Sequence, residues 1–524
     1  MMNRTDFRIT VLRFFSLLAI FAIILPFPLN DDNAHWQSMA FDFLHYGRWP
    51  YVGSWDQSFP GILLVHIPAI LLFGPSDLGF RIFDVLVQLG FCAVLYRLWR
   101  LYLPQSTAWM AVLFYAFYYA RSAPGIGGER DVYASLLVLA GAYLLLRMQG
   151  IGYRVQGIVT DRLPEIFGGL SIGFAALIRP TYGVYLLPLI AFIPAIRNIR
   201  SALIIGVSSL LPLALSYAIY AIKPGGLDAY WTATVLFNRD TYIQIARPFG
   251  NFWWHLVSPK LLIMPAGLWL AVCGVWRAFR SPRTGEREAR PTPPIWLYVS
   301  FIALTLALVL IQRKYYGYHF ALYGMLLTPL AALGMERVLQ YLPSRIRMPL
   351  FFIVFWILSM PLEMLTRYAI PAASNGRPMQ GITAALHATV WEDTAEDRVL
   401  DYFRQPQHRD GLVEVCSFDP RLRMHLLRGP AGIYASLHPL GFRTDLNNPN
   451  AFTNYQLLWR RAYLDSLTQQ RPRYIVIARA SFAEYLTDPY TSTLHTISGF
   501  DSLLQKDYKL DTTIGANEIY CLNL

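Results

Sequence analysis

The stretch from Val11 to Trp36 reads VLRFFSLLAIFAIILPFPLNDDNAHW, and its first part decides the fold. From Val11 to Leu29 the run is predominantly apolar. As one helix it is long enough to cross a bilayer, and it carries two carboxylates, Asp31 and Asp32, to its far, extracytoplasmic end. No small-residue cleavage pattern separates the run from the aspartates, so the segment reads as a retained span and not as a removed signal peptide.

Composition points the same way. Hydrophobic residues make up 55% of the 524 positions and charged ones only 15%, and the mean hydropathy is +0.35, more than a water-soluble core requires. The net charge of +12 would suit nucleic acid or anionic lipid, but the basic residues fall mainly in short loops between apolar segments. Membrane lipid is therefore the expected partner, and nucleic acid is not.

Apolar runs predict spans near residues 11–29, 78–99, 105–121, 132–148, 201–222, 256–276, 295–311, 320–339 and 349–366, with two short ones flanking Arg179-Pro180. The result is a mainly α, polytopic bundle of about 11 crossings at ~20 residues each. Basic residues mark cytoplasmic loops. Arg97 and Arg100, then Arg147, Arg154 and Arg162, then Arg197 and Arg200 occupy alternate connections, and the series continues with Arg277 to Arg290 and with Arg337, Arg345 and Arg347. One topology fits all of them: amino terminus inside, carboxyl terminus outside. It requires that Pro60 to Phe73, about 14 residues and short for a crossing, be re-entrant or interfacial. Trp36, Met39, Ala40, Phe43 and Leu44 recur at helical spacing, which predicts a helix lying in the interface within a first outer loop over residues 30–74.

Beyond Tyr368 the Pro/Asn/Gly stretch Pro371 to Pro378 separates residues 1–370 from a carboxyl-terminal segment, 371–524, of ordinary polarity. The strand-like runs Leu412 to Cys416 and Tyr474 to Ala478 bracket a helix-like region, Asn454 to Gln469, and predict a small extracytoplasmic α/β domain. Cys92 and Cys273 read as small core residues of apolar helices. Cys416 and Cys521 fall in the outward domain, where an oxidising compartment would permit a disulfide, and both states stay open. No zinc or redox spacing, Walker loop, dinucleotide fingerprint or internal repeat is present.

Asp32-Asn33-Ala34-His35-Trp36 resembles the acidic motif at the same place in protein O-mannosyltransferases and lipid A aminoarabinose transferases, typically Asp-Glu-x-x-aromatic. The resemblance implies a lipid-dependent glycosyltransferase of the GT-C superfamily in a bacterial inner (plasma) membrane. Its donor would be a polyprenyl-phosphate-linked sugar and its acceptor a glycan, lipid or protein. Such an enzyme needs a carboxylate to accept the acceptor's hydroxyl proton and cations to stabilise the departing phosphate. Asp32 matches the base, with Asp31 as fallback; Asn33 departs from the family's glutamate. Capping of the following helix is the alternative role for both aspartates. Glu129-Arg130-Asp131, after Gly125, Gly127 and Gly128, resembles the family's second acidic site, with Asp131 preferred and helix capping as its alternative. A divalent metal is compatible with two separated carboxylates but not required, since arginine or lysine can neutralise a lipid phosphate.

Trp55-Asp56-Gln57-Ser58-Phe59-Pro60-Gly61, together with Gly74 and Arg81, continues the likeness. Asp56 there would orient the acceptor or the base, or simply form a turn. Gln312-Arg313-Lys314-Tyr315-Tyr316-Gly317-Tyr318-His319 resembles a Gln-x-Lys-x-x-x-Tyr-His signature of bacterial GT-C proteins. Arg313 and Lys314 run against the positive-inside trend and read as phosphate ligands, with His319 beside them. Arg179, before a proline between two short apolar segments, must reach a cavity or pair with an aspartate. The aromatic stretch from Tyr230 to Trp254 reads as an interfacial belt. Two other classes compete: a transporter or lipid flippase, which would place charges near mid-membrane, and a non-catalytic factor for envelope polysaccharide assembly.

Overall fold

The computed structural model describes residues 4–150, 162–257, 295–341, 395–428, 432–478 and 494–523, less a few positions within them, with short pieces between 343 and 353. Spans expected at 256–276 and 349–366, and Cys273, fall almost wholly outside the described residues. In chain order the first nine α-helices are α1 (Arg4–Phe21), α2 (Asp31–Tyr46), α3 (Leu63–Phe73), α4 (Asp77–Arg100), α5 (Gln105–Ile126), α6 (Arg130–Gly150), α7 (Leu163–Ile178), α8 (Leu186–Phe192) and α9 (Ile199–Ile222). Helices Ile295–Gln312 and Ala321–Leu339 follow. Among the described residues, five helical stretches, starting at Asp77, Arg130, Ile199, Ile295 and Gly317, are long and apolar enough to cross a membrane.

Contacts divide the chain into two units, the first made of Met1–Pro28, Arg81–Ser216 and Arg247–Val390. It is the helical bundle. In α9 the exposed side chains Leu203, Val207, Leu210, Leu211, Leu215, Ile219 and Ile222 recur every three or four residues, a stripe that water would penalise and a lipid acyl chain would not. Elsewhere the helices interlock through small residues. A Cβ on Gly173 would collide with the Ser209 carbonyl oxygen and one on Gly169 would lie 2.6 Å from that of Ile205, so α7 and α9 approach as closely as their backbones allow.

The second unit contains Leu29–Phe80, Tyr217–Ala246 and Trp391–Leu524. Its centre is one apolar cluster drawn from all three segments, including Met39, Tyr51, Trp55, Tyr230, Phe237, Phe418, Tyr434, Tyr463 and Ile475. Part of the aromatic belt predicted over 230–254 is therefore core: Tyr230 and Phe237 are fully buried, whereas Trp231, Phe249, Trp253 and Trp254 are exposed. Trp36, Met39 and Ala40 of α2 are likewise buried.

The α/β expectation for the carboxyl-terminal segment meets a four-stranded sheet in the order β1-β2-β4-β3. The strands are β1 (Val413–Cys416), β2 (Tyr474–Ala478), β3 (Tyr508–Ile514) and β4 (Asn517–Leu522). The expected pair, β1 and β2, runs parallel with Val413 opposite Tyr474. The chain between them includes helix Asn454–Gln470, which starts at a reciprocal Thr453/Gln456 capping box. The β3–β4 hairpin, not expected from sequence, adds antiparallel to β2. Cys416 and Cys521 are both free. Cys416 is on β1 and Cys521 on β4, with β2 between them, so the strands are separated by about two 4.8 Å spacings, beyond the usual disulfide reach.

Candidate functional site

In the bundle, the sequence-selected polar residues gather at one end of the helices. Asp131 occupies the first turn of α6, Arg179 is the residue at which α7 ends, and Gln312 is the last residue of its helix. The Arg179 guanidinium donates from Nη1 to Asp131 Oδ2 and from Nη2 to Gln312 Oε1. Asp131 also accepts from the Tyr182 hydroxyl at 3.2 Å, and Ser135 Oγ lies 3.2 Å from that hydroxyl. Proline after Arg179 prevents α7 from continuing, so the backbone turns extended at Arg179 (φ −150°) before the short 3-10 segment Pro180–Tyr185. Of the two roles open to Arg179, pairing with an aspartate is the one observed, and the partner is Asp131.

The stretch after Gln312 is strained. Arg313 and Tyr315 have positive φ, 54° and 49°, conformations that non-glycine residues rarely adopt and that cluster where function holds them. Between them Lys314 is buried, with 6% exposure, while Arg313 is exposed. Burial pushes the Lys314 ammonium down to about 7. His319 is buried as well, and its Nδ1 meets no hydrogen-bond partner among the described residues. The charges of Arg179, Arg130 and Lys314 all act on its ring. Asp131, Arg179, Lys314 and His319 therefore form one neighbourhood; Arg313 differs from them in facing outward, and Glu129 is buried beside Asp131 in the chain.

In the second unit, Asn30 caps α2: its Oδ1 accepts from the Asn33 backbone N–H at 3.0 Å. The capping role considered for the two aspartates is thus filled by another residue. Asp31 and Asp32 take the first two helical positions, where the helix dipole favours a negative charge. Asp31 pairs loosely with Arg421 Nε at 3.5 Å. Asp56 meets the next turn of α2. Trp36 Nε1 donates to its Oδ2 at 3.0 Å, and His35 Nε2 lies 3.5 Å from its Oδ1 and 3.1 Å from the Trp55 carbonyl oxygen. Both clamping residues come from the motif that starts at Asp32, which a turn-forming aspartate would not require.

Arg81, named in the sequence only as part of the likeness, belongs to a buried polar group in α4 whose other members, Asp84 and Gln88, are not singled out there. Arg81, Asp84 and Gln88 are completely buried. Asp84 accepts from the hydroxyls of Tyr119 at 2.5 Å and Tyr133 at 2.8 Å and from Gln88 Nε2 at 3.0 Å. The spacing 81, 84, 88 puts all three on one helical face, a signal that was available in the sequence. Among the described residues, no group of three or more His, Cys, Asp and Glu could hold a metal ion.

No family model and no curated protein matches the sequence. Solved structures do. ArnT from Cupriavidus metallidurans in the apo state aligns over 98% of this chain and 98% of its own, with TM-score 0.61 and 14% identity. The oligosaccharyltransferase of Archaeoglobus fulgidus aligns in its apo form over 92% of this chain and 72% of its own (TM-score 0.52, 12% identity). The same enzyme tethered with an acceptor peptide aligns over 98% and 74% (TM-score 0.50, 13% identity). At these identities the likeness establishes the fold.

Proposed function

We propose, on the premise of the GT-C fold this chain has, that it is an integral-membrane glycosyltransferase moving a sugar from a polyprenyl-phosphate donor to an extracytoplasmic acceptor. Asp32 accepts the proton of the attacking hydroxyl. The acceptor oxygen forms the new bond to the anomeric carbon as the bond from that carbon to the phosphate oxygen breaks. The lipid phosphate departs with the extra charge, and Arg179 and Lys314 neutralise it. Asp131 and Gln312 hold Arg179, Glu129 and Asp56 help order sugar or acceptor, and Arg313 sits at the rim.

The observation that carries this reading is the Arg179 fork, fixed by Asp131 and Gln312, with Lys314 buried on a strained turn in the same neighbourhood. Lys314 brings a second buried cation to the neighbourhood of the Arg179–Asp131 pair, where a departing phosphate would gain charge-assisted contacts. The buried, unpartnered His319 Nδ1 supports a ligand in the same place. The bundle end that holds these groups is assigned to the extracytoplasmic side by the basic loops, with the amino terminus cytoplasmic. The test is an assay of membrane extracts with radiolabelled polyprenyl-phosphate sugars. Label transferred to a glycan, lipid or protein supports the enzyme; label moved across the bilayer but left on its lipid supports a flippase instead, and neither result supports a non-catalytic assembly factor.

A further inference from the structure

A carboxylate within a membrane-spanning helix is expensive to bury and marks function more often than stability. Asp84 is such a carboxylate, with no exposed surface. What it touches gives its role. Its Oδ2 accepts from the Tyr119 hydroxyl, and that oxygen in turn accepts from the Gly128 backbone N–H at 3.0 Å. Its Oδ1 accepts from the hydroxyl of Tyr133, two residues past Asp131. One carboxylate thus grips both ends of the turn that carries Glu129 and Asp131.

The neighbouring Arg81 completes the grip. It donates to the Phe27 and Pro28 carbonyl oxygens at 3.1 and 2.7 Å and to that of Gly127 at 3.1 Å. A Cβ at Gly127 would sit 2.9 Å from Arg81 Nη1 and 2.7 Å from the Ala123 carbonyl oxygen, so the approach exists only because position 127 lacks a side chain. Gly128, at φ +84°, provides the reversal into α6. The turn has little freedom left, and it leads within three residues to Asp131, which fixes Arg179.

We propose that Asp84 is a positioning residue for the Asp131–Arg179 pair, acting through Tyr119 and Tyr133 on the Gly127–Asp131 turn. The assignment rests on the reading that Arg179 meets the lipid phosphate. Removal of the Tyr119 hydroxyl leaves the Gly128 N–H without its acceptor and Asp84 with one donor fewer. Tyr115, whose hydroxyl donates to Gln88 Oε1, belongs to the same network but does not touch the turn.

The experiment compares Tyr119→Phe with Tyr115→Phe in the full-length protein in detergent. Two readouts are used: hydrogen exchange of the segment 126–131, and binding of polyprenyl phosphate to molecules shown to be folded. Tyr119→Phe is expected to speed exchange of that segment, and to weaken polyprenyl phosphate binding, by about fivefold each, as loss of one ordinary hydrogen bond would. Tyr115→Phe is expected to change neither. Equal effects of the two variants, or unchanged exchange in Tyr119→Phe, would reduce the network to general packing and overturn the proposal. Local exchange that responds while the wild-type protein binds no polyprenyl phosphate would instead sink the phosphate site and leave the positioning of the turn standing. Should Tyr119→Phe fail to fold, Tyr133→Phe runs the same test from the other end of the turn.

Discussion

Lys314 is expected to make donor affinity depend on pH in a way no exposed lysine could. Burial holds its ammonium near 7, so the free protein loses that charge as pH rises from 7 to 9. A phosphodiester donor has no group of its own that titrates there. Its phosphate meets a charged Lys314 only if the proton is present, and a charge-assisted contact of this kind contributes roughly 1.5 to 3 kcal/mol. Affinity should therefore be highest near pH 6 and fall ten- to hundredfold by about pH 9. Lys314→Ala should already bind at the lower level at pH 6 and show no slope. Arg313→Ala, which removes an exposed side chain, should change affinity by no more than about threefold. The sign for stability follows from the same shift. The unfolded chain keeps the Lys314 proton up to about 10.4 and the folded chain only to about 7, so burying this lysine costs stability that is regained as pH rises between those values. The assay is equilibrium binding of a polyprenyl-phosphate sugar to purified protein between pH 6 and 9. A flat wild-type profile, or a slope retained by Lys314→Ala, would show that donor binding does not depend on the Lys314 charge.

Asp42→Asn should destabilise the protein by about 3–5 kcal/mol, because Asp42 and Arg423 form a buried pair at 2.6 Å and the substitution strands the guanidinium; denaturant unfolding measures it. Replacing both partners with leucine and methionine should recover most of that loss, and an undiminished deficit in the double variant would contradict the ion-pair account. A reporter fused after Tyr368 should be extracytoplasmic and one inserted near Thr284 cytoplasmic, as the basic loops require; finding both on one side would break the topology.

Much of this was legible in sequence where chemistry and helix length coincide. Asp31 and Asp32 do open a helix, Arg179-Pro180 does separate two short helical pieces, and β1, β2 and the helix at Asn454 lie close to where pattern put them. Other features were hidden by the way apolar runs average out their polar members. Asp84 and Gln88 stand in α4, whose mean hydropathy is that of a span, and only the face they share with Arg81 distinguishes them. Nor could local pattern show that Tyr51, Tyr230 and Tyr434, from three segments separated by long stretches of chain, share one core. The aromatic stretch 230–254 reads as an interfacial belt although Tyr230 and Phe237 are core, because rings that anchor to a membrane and rings that pack on protein look alike in sequence. The free state of Cys416 and Cys521 depended on sheet order, which spacing does not specify.

In the proposed mechanism Asp32 takes the acceptor proton. Asn30 supplies the helix cap, so Asp32→Asn changes the carboxylate without disturbing how α2 begins. Turnover by this variant should fall by about 10²-fold or more, while binding of the polyprenyl-phosphate donor stays at the wild-type level. Near-normal transfer by folded Asp32→Asn protein would remove Asp32 from the mechanism.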